Sequence, residues 1–335
     1  MNSDYKPPFT MTEEITNAVI NIGELVGSIS SWHSLSTNPK LRRENRIKTI
    51  HSSLAIEQNT LTLEQVSDVI SGKRVLAPPQ DIKEVKNAYE IYERLDMLNP
   101  YSVDDLLKAH GVMMAELVQE AGRFRSGNAG VYAGEELIHA GTPARYVPEL
   151  VAQLFCWLES SQLHPLVKSC IFHYEFEFIH PFSDGNGRTG RLWHTLLLAK
   201  WKGFFAWLPI ETLIQERQEE YYFALNASNN SGESTEFVTF MLQLIWKALL
   251  DLQKAEQKGT EKEQKKNKKG TEVEKRVATV FELIQQDTAI TQAELMEILH
   301  LSRKQIQLAL EILVRQEKIE RQGSNRNGYW KIKDR

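Results

Sequence analysis

Twelve consecutive residues, His180 to Arg191 (HPFSDGNGRTGR), limit what this chain can fold into more than any other stretch. Apolar residues recur at helical spacing on both sides of it, and the second apolar segment ends near Gly203. The stretch is therefore predicted to be a loop between two helices that leads directly into the N-terminus of the second helix. Backbone N–H groups at a helix N-terminus have no intrahelical partners, and the helix dipole favours negative charge there, so the loop is suited to holding an anion.

Glycine and arginine residues in this stretch indicate that the anion is a phosphate. Gly185 and Gly187 flank Asn186 and allow the backbone to come close to a ligand. Backbone N–H groups of such a loop can hold phosphate oxygens. Arg188 and Arg191 are predicted to add two planar guanidinium groups, about one turn apart on the new helix, that donate in pairs to phosphate.

Two further side chains of the stretch predict chemistry on a nucleotide. Asp184 is the candidate magnesium ligand, because Mg²⁺ on a nucleotide takes one or two carboxylates together with phosphate oxygens. His180 is the candidate general base, because an imidazole titrates near neutral pH and can take a proton from an incoming hydroxyl. The alternative interpretation is a turn rich in Gly, Asn and Asp that precedes an ordinary amphipathic helix.

The stretch resembles the signature of the Fic family, His-x-Phe-x-(Asp/Glu)-Gly-Asn-Gly-Arg-x-x-Arg, at all eight fixed positions. The resemblance implies transfer of AMP from ATP, with Mg²⁺, to a Ser, Thr or Tyr hydroxyl of a target protein, which includes the chain itself. It also implies that His180 is catalytic, that Asp184 holds the metal and that Phe182 anchors the loop in the core. The nucleotide would then contact Asp184, Gly185, Asn186, Gly187, Arg188, Thr189, Gly190 and Arg191.

An earlier segment, from about 41 to 58, is predicted to be a helix that carries Ser53 and Glu57 on one face. On local sequence alone, Glu57 is interpreted as a solvated helix residue. However, Ser53-x-x-x-Glu57 resembles the Fic inhibitory motif, (Ser/Thr)-x-x-x-Glu-(Gly/Asn). The resemblance implies that Glu57 pairs with Arg191 and occupies the space of the nucleotide's γ-phosphate. Gln58 departs from the pattern, because Gly or Asn is expected there.

Residues 121–146 are rich in glycine and are predicted to form a β-hairpin on an otherwise helical body. An exposed hairpin edge can align a substrate peptide by adding a strand. The Fic resemblance implies that this hairpin is the flap that aligns the modified side chain. It also implies that the backbone of four flap residues lines the nucleotide: Glu136, Leu137, Ile138 and His139. A surface loop with no partner is the alternative.

Aromatic and polar residues after the motif are the last candidates in the catalytic region. A helix is predicted from Glu211 to about Ser228. By position, Tyr221 and Asn229 match Fic residues that contact the nucleotide, whereas Tyr222 and Phe223 are predicted to be core. His173, before the motif, is predicted to be a core or supporting histidine rather than a catalyst.

The composition is that of an ordinary globular protein, with 41% hydrophobic residues, 25% charged residues and a net charge of −4. This mild acidity argues against nucleic acid as the main partner. The two cysteines, Cys156 and Cys170, lie in apolar helical patterns and are predicted to be buried and reduced. The N-terminus lacks a signal-peptide pattern, and no apolar run reaches membrane-spanning length, so a cytoplasmic protein without a membrane partner is expected.

The fold class predicted is mainly α: a Fic-type helical core with a β-hairpin flap, followed by a small winged helix-turn-helix domain. An N-terminal helical region is expected at 1–110, and the catalytic core at 111–253. A charged stretch with seven Lys and three Glu, 254–270, is interpreted as a linker or a fraying helix extension. The last domain is expected at 271–335.

This last domain would present Arg303, Lys304 and Gln307 to a DNA major groove, with Arg326 in the wing. It carries eleven Lys plus Arg against ten Asp plus Glu, whereas DNA-binding domains usually have a clear basic surplus. A protein-contact or homodimer module is therefore preferred to DNA binding. Three functional alternatives stay open: removal of AMP from a modified protein, transfer of another phosphate-containing group, and a nucleotide-sensing DNA-binding regulator.

Overall fold

The structure is a computed structural model that describes residues 5–28, 38–127, 130–133, 136–140, 142–323 and 328–333. Within these residues, side chains are described everywhere except in the hairpin, 130–140, and in 255–271. The chain divides into two compact units, Met1–Gln253 and Lys254–Arg335, and each has its own apolar core.

The first unit is built from helices and one antiparallel hairpin, which confirms the prediction of a mainly α fold. Its helices are α1 (Glu13–Ser28), α2 (Pro39–Ile56), α3 (Leu63–Ile70), α4 (Pro79–Glu93), α5 (Val103–Met113), α6 (Val147–Ser160), α7 (Pro165–Ile179), α8 (Asn186–Trp201), α9 (Ile210–Glu216) and α10 (Gln218–Ser231). The next helix, α11 (Thr235–Gln286), begins in the first unit and includes residues of the second. The hairpin strands are β1 (Gly130–Ala133) and β2 (Glu136–Ala140).

Side-chain caps explain where several helices begin. The Asn38 side chain accepts from the N–H groups of Lys40 and Leu41, and Pro39 lies in the first turn, where a missing N–H costs nothing. The helix α2 therefore begins two residues before the predicted start at Leu41. Thr62 caps α3 by accepting from the Gln65 N–H, and Ser102 caps α5 by accepting from the Asp105 N–H.

The motif helices α7 and α8 form the centre of the first unit. Most of their side chains are buried, which is why their sequences are apolar on more than one face. Cys170, on α7, is buried as predicted. The prediction for Cys156 was wrong: this residue is exposed, because α6 buries the opposite side of its surface, with Val151, Leu154, Phe155 and Leu158.

The predicted helix over 211–228 is two helices, α9 and α10. The chain breaks at Arg217, whose φ of −120° and ψ of 38° leave the helical region. The Arg217 guanidinium lies over the Phe240 ring, 5.2 Å from its centroid, and pairs with Glu220. These contacts stabilise the break. Because of the break, the residues of α10 do not continue the helical phase of α9.

The second unit continues from the end of α11 into α12 (Gln292–Leu299) and α13 (Arg303–Arg315), then into the antiparallel strands β3 (Ile319–Gln322) and β4 (Tyr329–Ile332). The backbone of 254–270, predicted to be a linker or a helix extension, is part of α11. Arg326 lies outside the described residues, and the winged-helix assignment stays a prediction. Across the described part of the chain, no helix combines the length and the apolar character needed to cross a bilayer.

Candidate active site

The stretch from His180 to Arg191 is a loop that enters a helix, as predicted. His180 ends α7 in the left-handed conformation, with φ of 52° and ψ of 62°. Gly185 precedes α8 with φ of 81°, and a Cβ placed there would lie 2.6 Å from the Met114 sulfur. Only glycine satisfies both the positive φ and the close approach. The first backbone N–H groups of α8 have no partner within the helix and can receive an anion.

Asn186 stabilises the loop through its side chain. Its amide oxygen accepts from the backbone N–H of Phe182 at 2.8 Å, and its amide nitrogen donates to the Phe182 carbonyl at 2.9 Å. The side chain is almost fully buried, so its amide group is committed to the protein. The predicted phosphate contact therefore has to come from the Asn186 backbone N–H rather than from its side chain.

His110, which the sequence analysis missed, holds the other side of the loop. Its ring stacks on the fully buried Phe182 ring with centroids 3.6 Å apart, which confirms that Phe182 anchors the loop. The Gly122 N–H donates to Nδ1 at 2.9 Å, so Nε2 carries the proton and donates to the Asp184 carbonyl at 3.0 Å. Burial lowers the His110 pKa to about 4, which keeps the ring neutral in this role.

Arg188 orients Asp184 through one of two carboxylate contacts. Its guanidinium, 5% exposed, donates to Asp184 Oδ1 at 2.9 Å and to Glu84 Oε1 at 3.2 Å. Glu84, on α4, was not identified from the sequence. These two carboxylates occupy one donor on each Nη atom, whereas Nε has no hydrogen-bond partner among the described residues. The phosphate contact predicted for the Arg188 side chain stays a prediction.

Asp184 keeps a half-exposed carboxylate despite this pairing. Its Oδ1 accepts from the Gly185 N–H at 2.6 Å as well as from Arg188, which fixes the carboxylate plane. Within the described residues no cluster of three or more His, Cys, Asp or Glu side chains forms a metal cage. A single oriented carboxylate fits Mg²⁺ that arrives with a nucleotide, since this ion keeps most of its shell in phosphate oxygens and water.

Arg191 is held by the helix α2. Its guanidinium is 2% exposed and donates to Glu57 Oε1 at 2.8 Å, to the Ser53 hydroxyl at 3.1 Å and to the Ser53 carbonyl at 2.9 Å. Burial lowers the Arg191 pKa, but the Glu57 carboxylate outweighs this and raises it overall. The contact predicted between Glu57 and Arg191 is therefore present, and it uses the donors that a phosphate would need.

Glycines of α8 make room for this contact. A Cβ at Gly187 would lie 2.4 Å from Glu57 Oε1 and 2.9 Å from an Arg191 Nη atom. A Cβ at Gly190 would lie 2.7 Å from Glu177 Oε1 on α7. Gly190 thus faces α7, and the Thr189 side chain is fully buried. Thr189 and Gly190 therefore expose no side-chain surface to a nucleotide, and the contacts predicted for them stay predictions.

Gln58 forms the turn that ends α2. Its N–H donates to the Ala55 carbonyl, and the Asn59 N–H donates to the Leu54 carbonyl at 3.1 Å. This is the Schellman arrangement, in which the residue after the C-cap takes a left-handed conformation. Gln58 has φ of 68°. The Gly or Asn expected here would adopt this conformation at lower cost than Gln, which explains why the motif prefers them.

We expect Gln58→Asn to stabilise the protein by about 1 kcal/mol, because Asn tolerates the left-handed region better than Gln does. Thermal unfolding of the two variants would measure the change. Gln316→Asn is a matched control, since Gln316 also follows a helix but has φ of −79°. An equal gain for both substitutions would mean that the conformation of Gln58 carries no strain.

Glu177, on α7 one turn before His180, is a second carboxyl near Arg191. Burial raises the Glu177 pKa to about 8, and the negative charge of Glu57 adds to the effect. Its Oε1 lies 3.8 Å from His173 Nε2. The carboxyl is therefore protonated at neutral pH, so that Arg191 faces one carboxylate, that of Glu57, and one neutral carboxyl.

This pKa predicts a pH dependence of stability. Between pH 4.5, the ordinary pKa of a glutamate side chain, and about pH 8, the folded protein retains a proton on Glu177 that the unfolded chain releases. Stability contributed by this group therefore falls as pH rises through that window. We expect Glu177→Gln to lose less of its melting temperature than wild type between about pH 5 and about pH 8.5. Identical pH dependence in the two proteins would contradict the raised pKa.

Tyr221 is buried, whereas Tyr222 is exposed, so the prediction that Tyr222 is core was wrong. The nucleotide contact predicted for Tyr221 stays a prediction. The Tyr221 hydroxyl lies 3.2 Å from His173 Nε2, and both side chains are buried, which confirms His173 as a core histidine. Tyr222 is 43% exposed, and partial burial and the charge of Glu57 raise its pKa. Phe223 is 73% exposed and was also wrongly assigned to the core.

Asn229 and the hairpin are the remaining parts of the chain for which nucleotide contacts were predicted. The Asn229 side-chain oxygen accepts from the Tyr174 hydroxyl at 3.0 Å, so this part of its amide group is used within the protein. The hairpin is formed as predicted, with Gly130 opposite Ala140 and Ala133 opposite Glu136. The side chains of Glu136, Leu137, Ile138 and His139 lie outside the described residues, and the roles given to their backbone stay predictions.

Comparison with known proteins places these features in a family. Residues 100–198 match the model of the Fic/DOC family. A solved Fic family protein from Desulfovibrio desulfuricans G20 is 43% identical and covers 99% of each chain, with a TM-score of 0.74. Residues 134–508 of Fic-1 from Caenorhabditis elegans are 23% identical, cover 74% of this chain and 73% of that one with a TM-score of 0.60, and are alike in fold.

Among curated proteins, the protein adenylyltransferase fic-1 of Caenorhabditis briggsae is 30% identical over 215 residues. The match covers 60% of this chain and 40% of that protein, so this chain spans less than half the length of this relative. The match of the motif region to the family model, and the likeness to a Fic protein along its whole length, show that this chain belongs to the Fic family.

Proposed function

We propose that this chain is a protein adenylyltransferase that moves AMP from ATP to a hydroxyl group of a target protein, and that Glu57 restrains this activity. The observation that supports the proposal best is the contact between Arg191 and Glu57 beside the N-terminus of α8. A buried guanidinium aimed at an anion-binding helix end is suited to a nucleotide phosphate, and here a carboxylate occupies it. The printed name of the Caenorhabditis briggsae relative points to the same activity.

In the proposed complex, the phosphates of ATP lie on the first backbone N–H groups of α8, at Asn186, Gly187 and Arg188. These donors are fixed before the substrate arrives, because the Asn186 side chain and the His110 ring already hold the loop. Fixed donors stabilise charge that develops on the phosphates without further reorganisation. Mg²⁺ would be held by the oriented Asp184 carboxylate and would neutralise part of the phosphate charge.

The transfer step follows from the position of His180 at the mouth of the loop. The imidazole takes the proton of a Ser, Thr or Tyr hydroxyl, and the hydroxyl oxygen forms a bond to the α-phosphorus. The bond from the α-phosphorus to the bridging oxygen breaks, and pyrophosphate leaves with the electron pair. The product is a phosphodiester between AMP and the target side chain. We propose that the hairpin aligns the target by adding its backbone as a strand.

Restraint arises because Glu57 and a phosphate need the same donors of Arg191. The Glu57 side chain is 29% exposed, so it can turn away from Arg191 into solvent. Ser53, by contrast, is buried and contacts Arg191 through its hydroxyl and its backbone carbonyl. We propose that Ser53 holds the guanidinium in place in both states, while Glu57 acts as the removable part of the contact.

ATP radiolabelled at the α-phosphate or at the γ-phosphate tests the function in a cell lysate. The Glu57→Gly variant is expected to attach the α label, and not the γ label, to itself or to lysate proteins. Attachment of the γ label would make the protein a kinase. Labelling only from a different nucleotide would indicate transfer of another phosphate-containing group. Release of AMP from a modified target by wild type, but not by Glu57→Gly, would assign the reverse reaction.

A further inference from the structure

Arg125 lies where the chain enters the hairpin, and it is 3% exposed. The acceptors that the structure describes for its guanidinium are all backbone carbonyls. Nε donates to the His180 carbonyl at 2.7 Å, one Nη atom donates to the Gly127 carbonyl at 2.9 Å, and the other donates to the Thr142 carbonyl. The backbone N–H of Arg125 also donates to the Pro181 carbonyl at 3.0 Å.

These acceptors belong to two separate parts of the proposed active site. Gly127 precedes β1 and Thr142 follows β2, so one side of the guanidinium binds both ends of the hairpin. The other side binds the carbonyl groups at the C-terminus of α7, including that of Ile179 at 3.4 Å. Carbonyls at a helix C-terminus carry partial negative charge, which stabilises a buried cation there. The guanidinium makes these four contacts from three separate nitrogens in fixed directions, whereas a lysine ammonium has one nitrogen with three donors and cannot make all four.

The contact with His180 has a consequence for the catalytic side chain. A left-handed conformation is uncommon in a residue other than glycine and costs roughly 1 kcal/mol. The hydrogen bond from Arg125 to the His180 carbonyl holds that conformation, and the conformation sets the direction in which the imidazole leaves the backbone. Without the bond, the His180 carbonyl loses a donor that fixes the orientation of the peptide group after His180.

We propose that Arg125 is a positioning residue that holds the His180 backbone and both ends of the hairpin as one unit. A target segment paired with the hairpin then presents its hydroxyl to the imidazole in a fixed register. Arg125 itself touches neither substrate. This inference rests on the proposed function, because it assigns the register between the target and the general base of that reaction.

The test uses Arg125→Lys in the Glu57→Gly background, which keeps the positive charge and removes the planar donor set. We expect AMP transfer to fall about 100-fold, the usual effect of misplacing reacting groups by about 1 Å. The affinity for ATP should change by less than about threefold, since Arg125 does not contact the phosphate donors. Guanidinium ions at low concentration should restore part of the activity of Arg125→Ala in the same background.

Arg46→Lys in that background is the matched control. Arg46 is equally buried and donates to the Ala206 carbonyl at 3.1 Å. None of the contacts described for its side chain involves the hairpin. We expect this variant to lose melting temperature but to retain AMP transfer. Full activity of Arg125→Lys would overturn the proposal. A parallel loss of ATP affinity and activity would also overturn it, because Arg125 would then only support the fold.

Hydrogen exchange tests the same coupling independently of any activity, and thus separates this inference from the proposed function. In Arg125→Lys, amides of the hairpin and those of Ile179, His180 and Phe182 are expected to exchange faster together, while in Arg46→Lys neither group changes. Faster exchange in only one of the two segments would show that Arg125 does not join them.

Discussion

Replacing Glu57 with glycine is expected to raise the initial rate of AMP transfer about 100-fold, since breaking one hydrogen-bonded charge pair is worth a few kcal/mol. The substitution removes the carboxylate that occupies Arg191 at 2.8 Å and leaves the Ser53 contacts intact. The guanidinium is then free to bind a phosphate. Initial rates with α-labelled ATP at saturating target would measure the effect.

The matched control for this substitution is Glu44→Ala, on the same helix. Glu44 is exposed, and its ion pair is with Lys40. We expect the rate of this variant to stay within about twofold of wild type, because exposed ion pairs contribute little. A similar rise in both variants would attribute the activation to loosening of α2. If the rate of AMP transfer does not rise in Glu57→Gly, Glu57 does not regulate the site.

Replacing His180 with alanine in the Glu57→Gly background is expected to lower the rate of AMP transfer about 1000-fold, within the usual contribution of a general base. ATP affinity should persist, because the phosphate donors lie on α8 and on Arg191. Initial rates with α-labelled ATP and calorimetric titration of ATP measure the two effects.

His300 provides the control for this second substitution. It also ends a helix in the left-handed conformation, with φ of 51° and ψ of 39°, but it lies in the second unit. His300→Ala therefore reproduces the loss of an imidazole at the same kind of backbone position. Its rate should match that of the parent variant. Equal losses for both histidines would show that the effect is one of stability and not of catalysis.

The main features of the site followed from the sequence because they are local. Twelve residues are enough to predict a glycine-rich loop between two helices that carries an imidazole, a carboxylate and two guanidinium groups at fixed spacing. The pairing of Glu57 with Arg191 joins positions 134 residues apart, and it could be anticipated only through resemblance to a family motif. Spacing alone favoured a solvated glutamate.

The errors came from contacts that no local pattern encodes. Arg188 carries the same charge as Arg191, but Glu84, which is 104 residues away, also binds it, and the spacing of the motif does not predict this contact. His110 and Arg125 hold the motif loop through backbone carbonyls, which have no sequence signature. Tyr222 and Phe223 were predicted to be core because they are aromatic, but both are exposed.

Gln58 shows how a departure from a pattern can be interpreted physically. The motif favours Gly or Asn because the residue after the C-cap of α2 is left-handed, and Gln58 adopts this conformation, with φ of 68°. The backbone turn is therefore kept, and the difference is expected in stability. Sequence comparison alone could not distinguish a strained turn from a lost one.

Calorimetric titration of ATP and of AMP most directly tests whether Glu57 and phosphate compete for Arg191. Wild type and Glu57→Gly would be compared in the His180→Ala background with Mg²⁺, so that no transfer occurs during the titration. We expect the Kd for ATP to fall about tenfold or more when Glu57 is removed, and the Kd for AMP to stay unchanged. An unchanged Kd for ATP, or an equal change for both nucleotides, would contradict this competition.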